Sequence, residues 1–248
     1  METQILTKER DFTTKDHAPL PEESDVFAKG ICYPKLFWIF MIGCFFGVVL
    51  ETVVCLIDYG VLQNRSGVIY GPFNPVYGVG AVLMTVLLYK TAKKGDGRVF
   101  FASAFIGGGF EYALSFLQER IFGTVSWDYS YMLLDINGRT NIPYMLFWGL
   151  LGVLWMKRIF PLLSALIEKV PKRWGTPLTW VFAVFMLWNM SISALAVDRQ
   201  SQRRIGLPPK NSLQVFLDKQ YPDQMLEDIF PSMKVVETAA APASPERK

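Results

Sequence analysis

Three glutamates lie in stretches that otherwise carry almost no charge. Glu51 sits in LFWIFMIGCFFGVVLETVVCLI, and Glu111 and Glu119 sit in a later apolar run that starts near Val99. An ionised carboxylate at the centre of a bilayer costs about 3 kcal/mol on the insertion scale. Such a group faces the inside of a helix bundle, pairs with a cation or stays protonated. Glu119 follows Glu111 by eight positions, so the two occupy roughly one helical face. The cations on the same side are Arg65 and Arg139, each able to grip a carboxylate with two parallel N–H donors. Together with Asp128, the set Glu51, Arg65, Glu111, Glu119 and Arg139 would line a path for an ion or polar solute. The alternative is a group of ion pairs that lock the helices together. Arg120, next to Glu119, would equally suit a membrane boundary.

Helices must position these groups. Half of the 248 residues are hydrophobic (51%), and the charges gather in tails and short loops. Apolar runs that long and that uniform need lipid around them. The expected fold is all-α, a polytopic transmembrane bundle of about five helices. Residues 1–30 read as a flexible tail, 31–197 as the transmembrane domain and 198–248 as a C-terminal tail. Helix one covers about Leu36–Ile57 and contains the pair Gly43 and Gly47, a spacing that permits close helix contact. The segment Gly67–Gly78 holds Pro72 and Pro75, which disfavour regular helix, so a broken or re-entrant stretch precedes helix two near Val76–Tyr89. Irregular backbone at that depth survives only when buried in protein or lining a cavity. Helix three is expected over Val99–Phe122, helix four over Ile142–Phe160 and helix five over Pro177–Val197. Asn137-Gly138 marks a turn before helix four. The tail holds short amphipathic stretches at Leu213–Leu217 and Met225–Phe230.

The basic residues set an orientation. Lys90, Lys93, Lys94 and Arg98 follow helix two; Lys157 and Arg158 mark the inner end of helix four, and Lys169, Lys172 and Arg173 follow it. The alternate loops hold only Arg65, and Arg139 with Arg120 at its edge. This bias favours a cytoplasmic N-terminus in a multi-pass membrane protein. Five crossings would then put the C-terminus outside. Arg199, Arg203, Arg204 and Lys210 immediately after helix five argue for the opposite side. Either the count is off by one, or the last helix disobeys the bias.

Several chemistries are excluded or disfavoured. A net charge of +3, thinly spread, gives no footprint for nucleic acid. Cys32, Cys44 and Cys55 make no CxxC pair, and the only histidine is His17, so neither a metal site nor a cofactor is expected. Some thirty polar residues precede the first apolar run, unlike a signal peptide. No GxxxxGK[ST], HExxH or GxSxG occurs. Asn189-Met190-Ser191 matches a glycosylation sequon but falls within a predicted helix. Trp127, Tyr129, Tyr131 and Trp148 suit a membrane–water boundary. A faint repeat relates helices one and two to three and four, with Gly47 and Gly107 each four residues before a glutamate. Such a repeat would be a parallel one.

These landmarks resemble a family of bacterial membrane proteins described as putative ABC-transporter type IV, the CmpB-like permeases. The stretches that carry the resemblance are FFGVVLETV, NRSGVIYGPFNPVYGVGA, FEYALSFLQERIFGTVSWDYS and NGRTNIPYMLFWGLLG, with a tail running from DRQSQRR to FPSMK. The resemblance implies that Glu51, Asn64, Arg65, Gly71, Pro72, Pro75, Tyr77, Gly78, Glu111, Glu119, Trp127, Asp128, Tyr129, Asn137, Gly138, Arg139, Trp148 and Gly149 hold pattern positions. Ser126 departs from it, standing where a second aromatic would precede Trp127. It also implies a permease subunit without naming a substrate. Since the chain has no P-loop, the ATPase would be a separate subunit, and further copies of this chain are a second candidate partner. Competing readings are a membrane-embedded enzyme using Glu and Asp as acid and base, and a scaffold that docks partners through its tail.

Overall fold

The structure, a computed structural model, describes residues 26–236. Helix α1 (Tyr33–Tyr59) has Pro34 in its first turn and stops at Gly60, whose φ of 69° is the left-handed conformation a glycine adopts freely. Its 27 residues make a rod of about 40 Å, ample for a hydrocarbon core of about 30 Å. Among the described residues, four helices are long and apolar enough to cross a membrane. Helix α2 (Pro75–Leu88) is not one of them, because its 14 residues reach only about 21 Å.

The missing length of that pass is irregular chain, as expected from Pro72 and Pro75. Asn74 donates its backbone N–H to Cys44 O at 3.0 Å, so α2 starts beside the middle of α1. The preceding segment therefore descends into the bundle without regular structure, and its backbone groups need partners there. Gly67 N–H bonds Phe73 O at 2.9 Å. Ile69 N–H donates to Ser193 Oγ at 2.9 Å, and Tyr70 N–H to Asn189 Oδ1 at 3.1 Å. Asn189 returns a bond from Nδ2 to Tyr70 O at 2.7 Å. Asn74 Nδ2 reaches Arg65 O at 3.1 Å, while its Oδ1 caps α2 at Val76 N–H. The Gly43 and Gly47 stripe serves this half-length helix. Gly43 lies against Gly78 and Ala81, and the Tyr77 ring covers Gly47 so closely that no β-carbon fits.

Helix α3 (Asp96–Phe122) runs parallel to α1 and stops at Gly123, again with positive φ. A two-residue strand β1 (Thr124–Val125) follows, then a hairpin of β2 (Asp135–Ile136) and β3 (Thr140–Asn141). The expected turn is at its tip, with Asn137 and Gly138 both at positive φ. Helix α4 (Ile142–Leu154) is capped by Asn141 Oδ1 on Tyr144 N–H at 2.8 Å. It does not end at Phe160 as expected. A π-helical turn over Trp155–Ile159 joins it to α5 (Phe160–Glu168), making one apolar rod of 27 residues. The wider turn lies just before Pro161, which has no N–H to continue the ladder. Lys157 and Arg158 thus lie inside the rod, and Lys157 reaches Asp96 at 2.5 Å. The α3–α4 contact is close-packed: Trp148 covers Gly107, Met145 lies on Gly108, and the Phe100 ring lies against Gly149.

Helix α6 (Lys172–Arg204) is 33 residues long, about 50 Å, and passes without a break through the boundary expected at residue 197. Its first turns meet the start of α1, where Trp38 Nε1 donates to Thr179 at 2.9 Å and Phe27 seats on Gly175. Lys35, almost fully buried, pairs there with Glu168. Near its other end Ser201 Oγ donates to Phe122 O at 3.0 Å. The start of α1 and the end of α6 therefore lie at opposite ends of the bundle, here the near and far ends. The described residues run five times between these ends, four times as full helices and once as the irregular segment plus α2.

At the far end α6 projects past its apolar part, and α7 (Ser212–Gln220) and α8 (Asp223–Ile229) fold back against it. Ala196, Leu217, Tyr221 and Leu226 form the small core of this cap. Arg199, only 2% exposed, is gripped by Asp218, and Arg203 bonds both Asp218 and Asp223. Two of the basic residues that argued against five passes are thus held in ion pairs. Strand β4 (Lys234–Val235) then pairs antiparallel with β1.

Candidate functional site: a carboxylate–arginine cluster at the far end

Glu51 on α1, Glu111 and Glu119 on α3, and Arg65 and Arg139 on the loops that follow those helices form three separate arrangements, and the sixth expected residue, Asp128, stands apart. In the first, Glu51 accepts from the Tyr77 hydroxyl and lies 3.5 Å from Arg65 Nη1. Arg65 also donates to Ser232 Oγ at 2.5 Å and to Cys55 Sγ at 3.1 Å. In the second, Glu119 pairs with Arg139, which also donates to Ser115 Oγ at 3.1 Å and lies over the Phe116 ring at 5.5 Å. Such a guanidinium keeps its charge while its flat faces cover aromatic surface.

The third arrangement is Glu111. Its Oε2 accepts from Thr140 Oγ1 at 2.9 Å and its Oε1 from the Tyr129 hydroxyl at a long 3.4 Å. The Trp148 indole faces the same carboxylate, although its buried Nε1–H forms no well-aligned hydrogen bond. Among the described residues Glu111 has no cation partner, unlike Glu51 and Glu119. Burial pushes the Tyr129 phenol well above its ordinary range, so it stays a neutral donor to Glu111. The Tyr129 ring stacks on Tyr144 at 4.9 Å.

Asp128 does not join the cluster. It is exposed in the loop after β1, where its carboxylate accepts from Ser130 N–H at 2.9 Å and Ser130 Oγ at 3.0 Å. The Ser130 backbone bond holds its pKa below the usual carboxylate range. Other pattern residues build the frame. Trp127 Nε1 donates to Arg139 O at 2.9 Å, Asn137 Nδ2 to the Tyr112 hydroxyl at 2.9 Å, and Ser66 N–H to Asn64 Oδ1 at 2.9 Å. Gly71 has a φ of 80°, and Gly78 lets α2 approach Phe40 and Cys44. An open pocket of ≈ 310 Å³ lies beside the second pair, walled by Phe116, Glu119, Arg120, Gly123, Arg139 and Val236.

The two halves share one device. A glycine four residues before a glutamate lets an aromatic ring of the next helix lie across it, and the ring's polar edge turns to the carboxylate. Gly47, Tyr77 and Glu51 do this in the first unit, and Gly107, Trp148 and Glu111 in the second. The pattern is parallel, since α1 and α3 run in the same direction.

The model of the family described as "putative ABC-transporter type IV" matches residues 38–194. The chain belongs to this family. No curated protein and no solved structure matches it. The family match covers α1 to most of α6, and so every carboxylate and arginine of the three arrangements. It stops before the cap. Ser232, Cys55 and Thr140 were not among the expected site residues. Ser232 has no sequence signal, lying 167 positions from the arginine it touches. Thr140 had one, since the adjacent Asn-Gly turn fixes where its strand must run.

Proposed function

We propose that this chain is the membrane-embedded subunit of a transporter, and that a small polar or ionic solute passes the far-end cluster of Glu51, Arg65, Glu111, Glu119 and Arg139. The observation that carries this reading is Glu111, a half-buried carboxylate within a membrane-spanning helix whose partners are all neutral. A carboxylate kept only for packing is normally balanced by a cation, as Glu51 and Glu119 are. One left to hydroxyls remains available to a passing cation or proton. The irregular segment docked between α1 and α6 supplies non-helical backbone at membrane depth, the kind that lines solute paths. Energy coupling falls to a separate ATPase, since this sequence holds no P-loop. The basic near end is cytoplasmic, in a bacterial plasma membrane, so the cap lies outside.

The test is purification of the full chain from its native membrane with whatever ATPase accompanies it, followed by ATP hydrolysis in proteoliposomes. Glu111→Gln keeps the shape of the site and one of its two acceptors, the amide N–H donating to the other hydroxyl, while removing the charge. It should leave folding intact and reduce coupled hydrolysis by about 10- to 100-fold. An unaltered rate in Glu111→Gln, or no accompanying ATPase, defeats the reading. The ion pairs favour a second reading for Glu51 and Glu119, as locks between helix and loop. Their glutamine variants should then lose stability before any activity.

A further inference from the structure

We propose that residues 231–236 form a strap that closes the far-end cluster, with Ser232 occupying an Arg65 donor and Val236 walling the Glu119–Arg139 pocket, so that solute enters only when the strap lifts. The proposal rests on the transport reading for its consequence, but not for its geometry. One short segment reaches both ion-paired arrangements at once. Ser232 Oγ accepts from Arg65 Nη1 at 2.5 Å, nearer than the Glu51 oxygen at 3.5 Å. Four residues later Val236 N–H bonds Gly123 O at 2.9 Å, and its side chain borders the pocket that holds Glu119 and Arg139.

The hold on the bundle is slight along the strap and strong at its root. Strand pairing with β1 covers only Thr124↔Val235 and Val125↔Lys234, and both strap residues are exposed. A two-residue ladder is far below what is stable by itself. The root is the cap, where Arg199 and Arg203 bind Asp218 and Asp223, and the Tyr70 and Tyr221 hydroxyls meet at 2.9 Å. The strap can therefore detach while α7 and α8 stay docked. Arg65 is the contact it would release. The buried Nε of that guanidinium already lacks a partner. On losing Ser232 its Nη1 would also turn to an incoming oxygen of the solute. A hydroxyl oxygen is a weak occupant of a cationic donor, so a carboxylate or phosphate oxygen would displace it.

Cys55 reports on this without any transport assay. It is buried, and Arg65 bridges it to Ser232. The full chain with Cys32→Ser and Cys44→Ser keeps that thiol alone. Its reaction with a charged, membrane-impermeant methanethiosulfonate is followed by peptide mass spectrometry. Ending the chain after Pro231 should speed modification of Cys55 by about 10-fold or more, and Ser232→Ala by a smaller factor. Monodispersity in detergent checks that these variants fold. The second arm adds Val125→Cys and Lys234→Cys, whose backbones lie directly opposite across the ladder. Oxidation should slow Cys55 modification by about 10-fold, and reduction should restore the starting rate in the same molecules. Equal Cys55 rates in the oxidised and reduced forms overturn the strap. Rates that follow the strap, with hydrolysis by the accompanying ATPase unaffected by locking, uphold the closure and refute its role in transport.

Discussion

Asp218→Asn is the most direct challenge to the cap. Asp218 accepts from Arg199 Nε at 2.8 Å and Nη2 at 2.9 Å, and from Arg203 Nη1 at 2.7 Å. Arg199 is 2% exposed and Asp218 25%. Removing the carboxylate strands a buried guanidinium, a change that costs about 3–5 kcal/mol when both partners are buried. Here Asp218 is partly solvated and Arg199 keeps a bond to Gln202 Oε1 at 3.1 Å, so the cost falls to about 2–3 kcal/mol. The loss should be local, because the cap has its own small core around Leu217, Tyr221 and Leu226. Amide exchange over residues 212–229 in lipid nanodiscs should then speed up by about 30- to 150-fold, with α3 unaffected. Acceleration of less than about 3-fold would mean that the arginine is not held by this acid. Equal acceleration in α3 would mean that the cap and the bundle unfold together. Either outcome refutes the argument.

Cap stability should depend on pH at both extremes. Its arginine partners push Asp218 down from 3.8 to about 2, so that acid's stabilisation is present above 3.8 and is lost as pH falls toward 2. Burial and the Tyr70 hydroxyl push Tyr221 up from 10.0 to about 12, so its contribution is present below 10.0 and is lost as pH rises toward 12; exchange over 212–229, corrected for intrinsic rates, should be flat between. In the bundle, Gly107→Ala drives a β-carbon into the Trp148 ring and should cost about 1–3 kcal/mol, read as a lower melting temperature in detergent. Gly109→Ala two residues on meets open space and should cost less than about 0.5 kcal/mol; similar losses in both would deny that α3 and α4 pack through Gly107.

Much of this architecture is legible in the sequence because lipid imposes simple rules. Apolar runs of sufficient length must be helices, and Pro72 and Pro75 must break one, so the half-length α2 follows directly. The Glu119–Arg139 pair is also legible, since a carboxylate within an apolar helix needs a cation and few are within reach. The continuation of α4 through α5 to Glu168 is not, because Lys157 and Arg158 imitate a helix end while the chain passes through them in a π turn. Asn189 is a subtler case. Its sequon is irrelevant, but an amide in an apolar helix needs partners, and it finds them on Tyr70. The partner was invisible because the descending segment is irregular, and irregular backbone has no period to read. Asp128 drew attention by charge alone, yet a carboxylate two residues before a serine in a loop satisfies itself locally.

The difference between the two halves says most about where chemistry would occur. Both units place a glycine, an aromatic and a glutamate alike, so the device itself is a packing solution that brings a polar edge to a carboxylate. In the first half the loop arginine, Arg65, returns to that same glutamate. In the second, Arg139 instead meets Glu119, two turns further along α3, and the Thr140 hydroxyl takes the place at Glu111. A chain selected only for a locked bundle gains nothing from that exchange, because it leaves a carboxylate within a membrane-spanning helix without its cation while spending the cation near the helix end. The exchange makes sense if the charge at Glu111 must stay available. On the proposed transport reading, Glu111 keeps the charge that a solute would meet, while Glu51 also braces the first half through Tyr77 and Arg65.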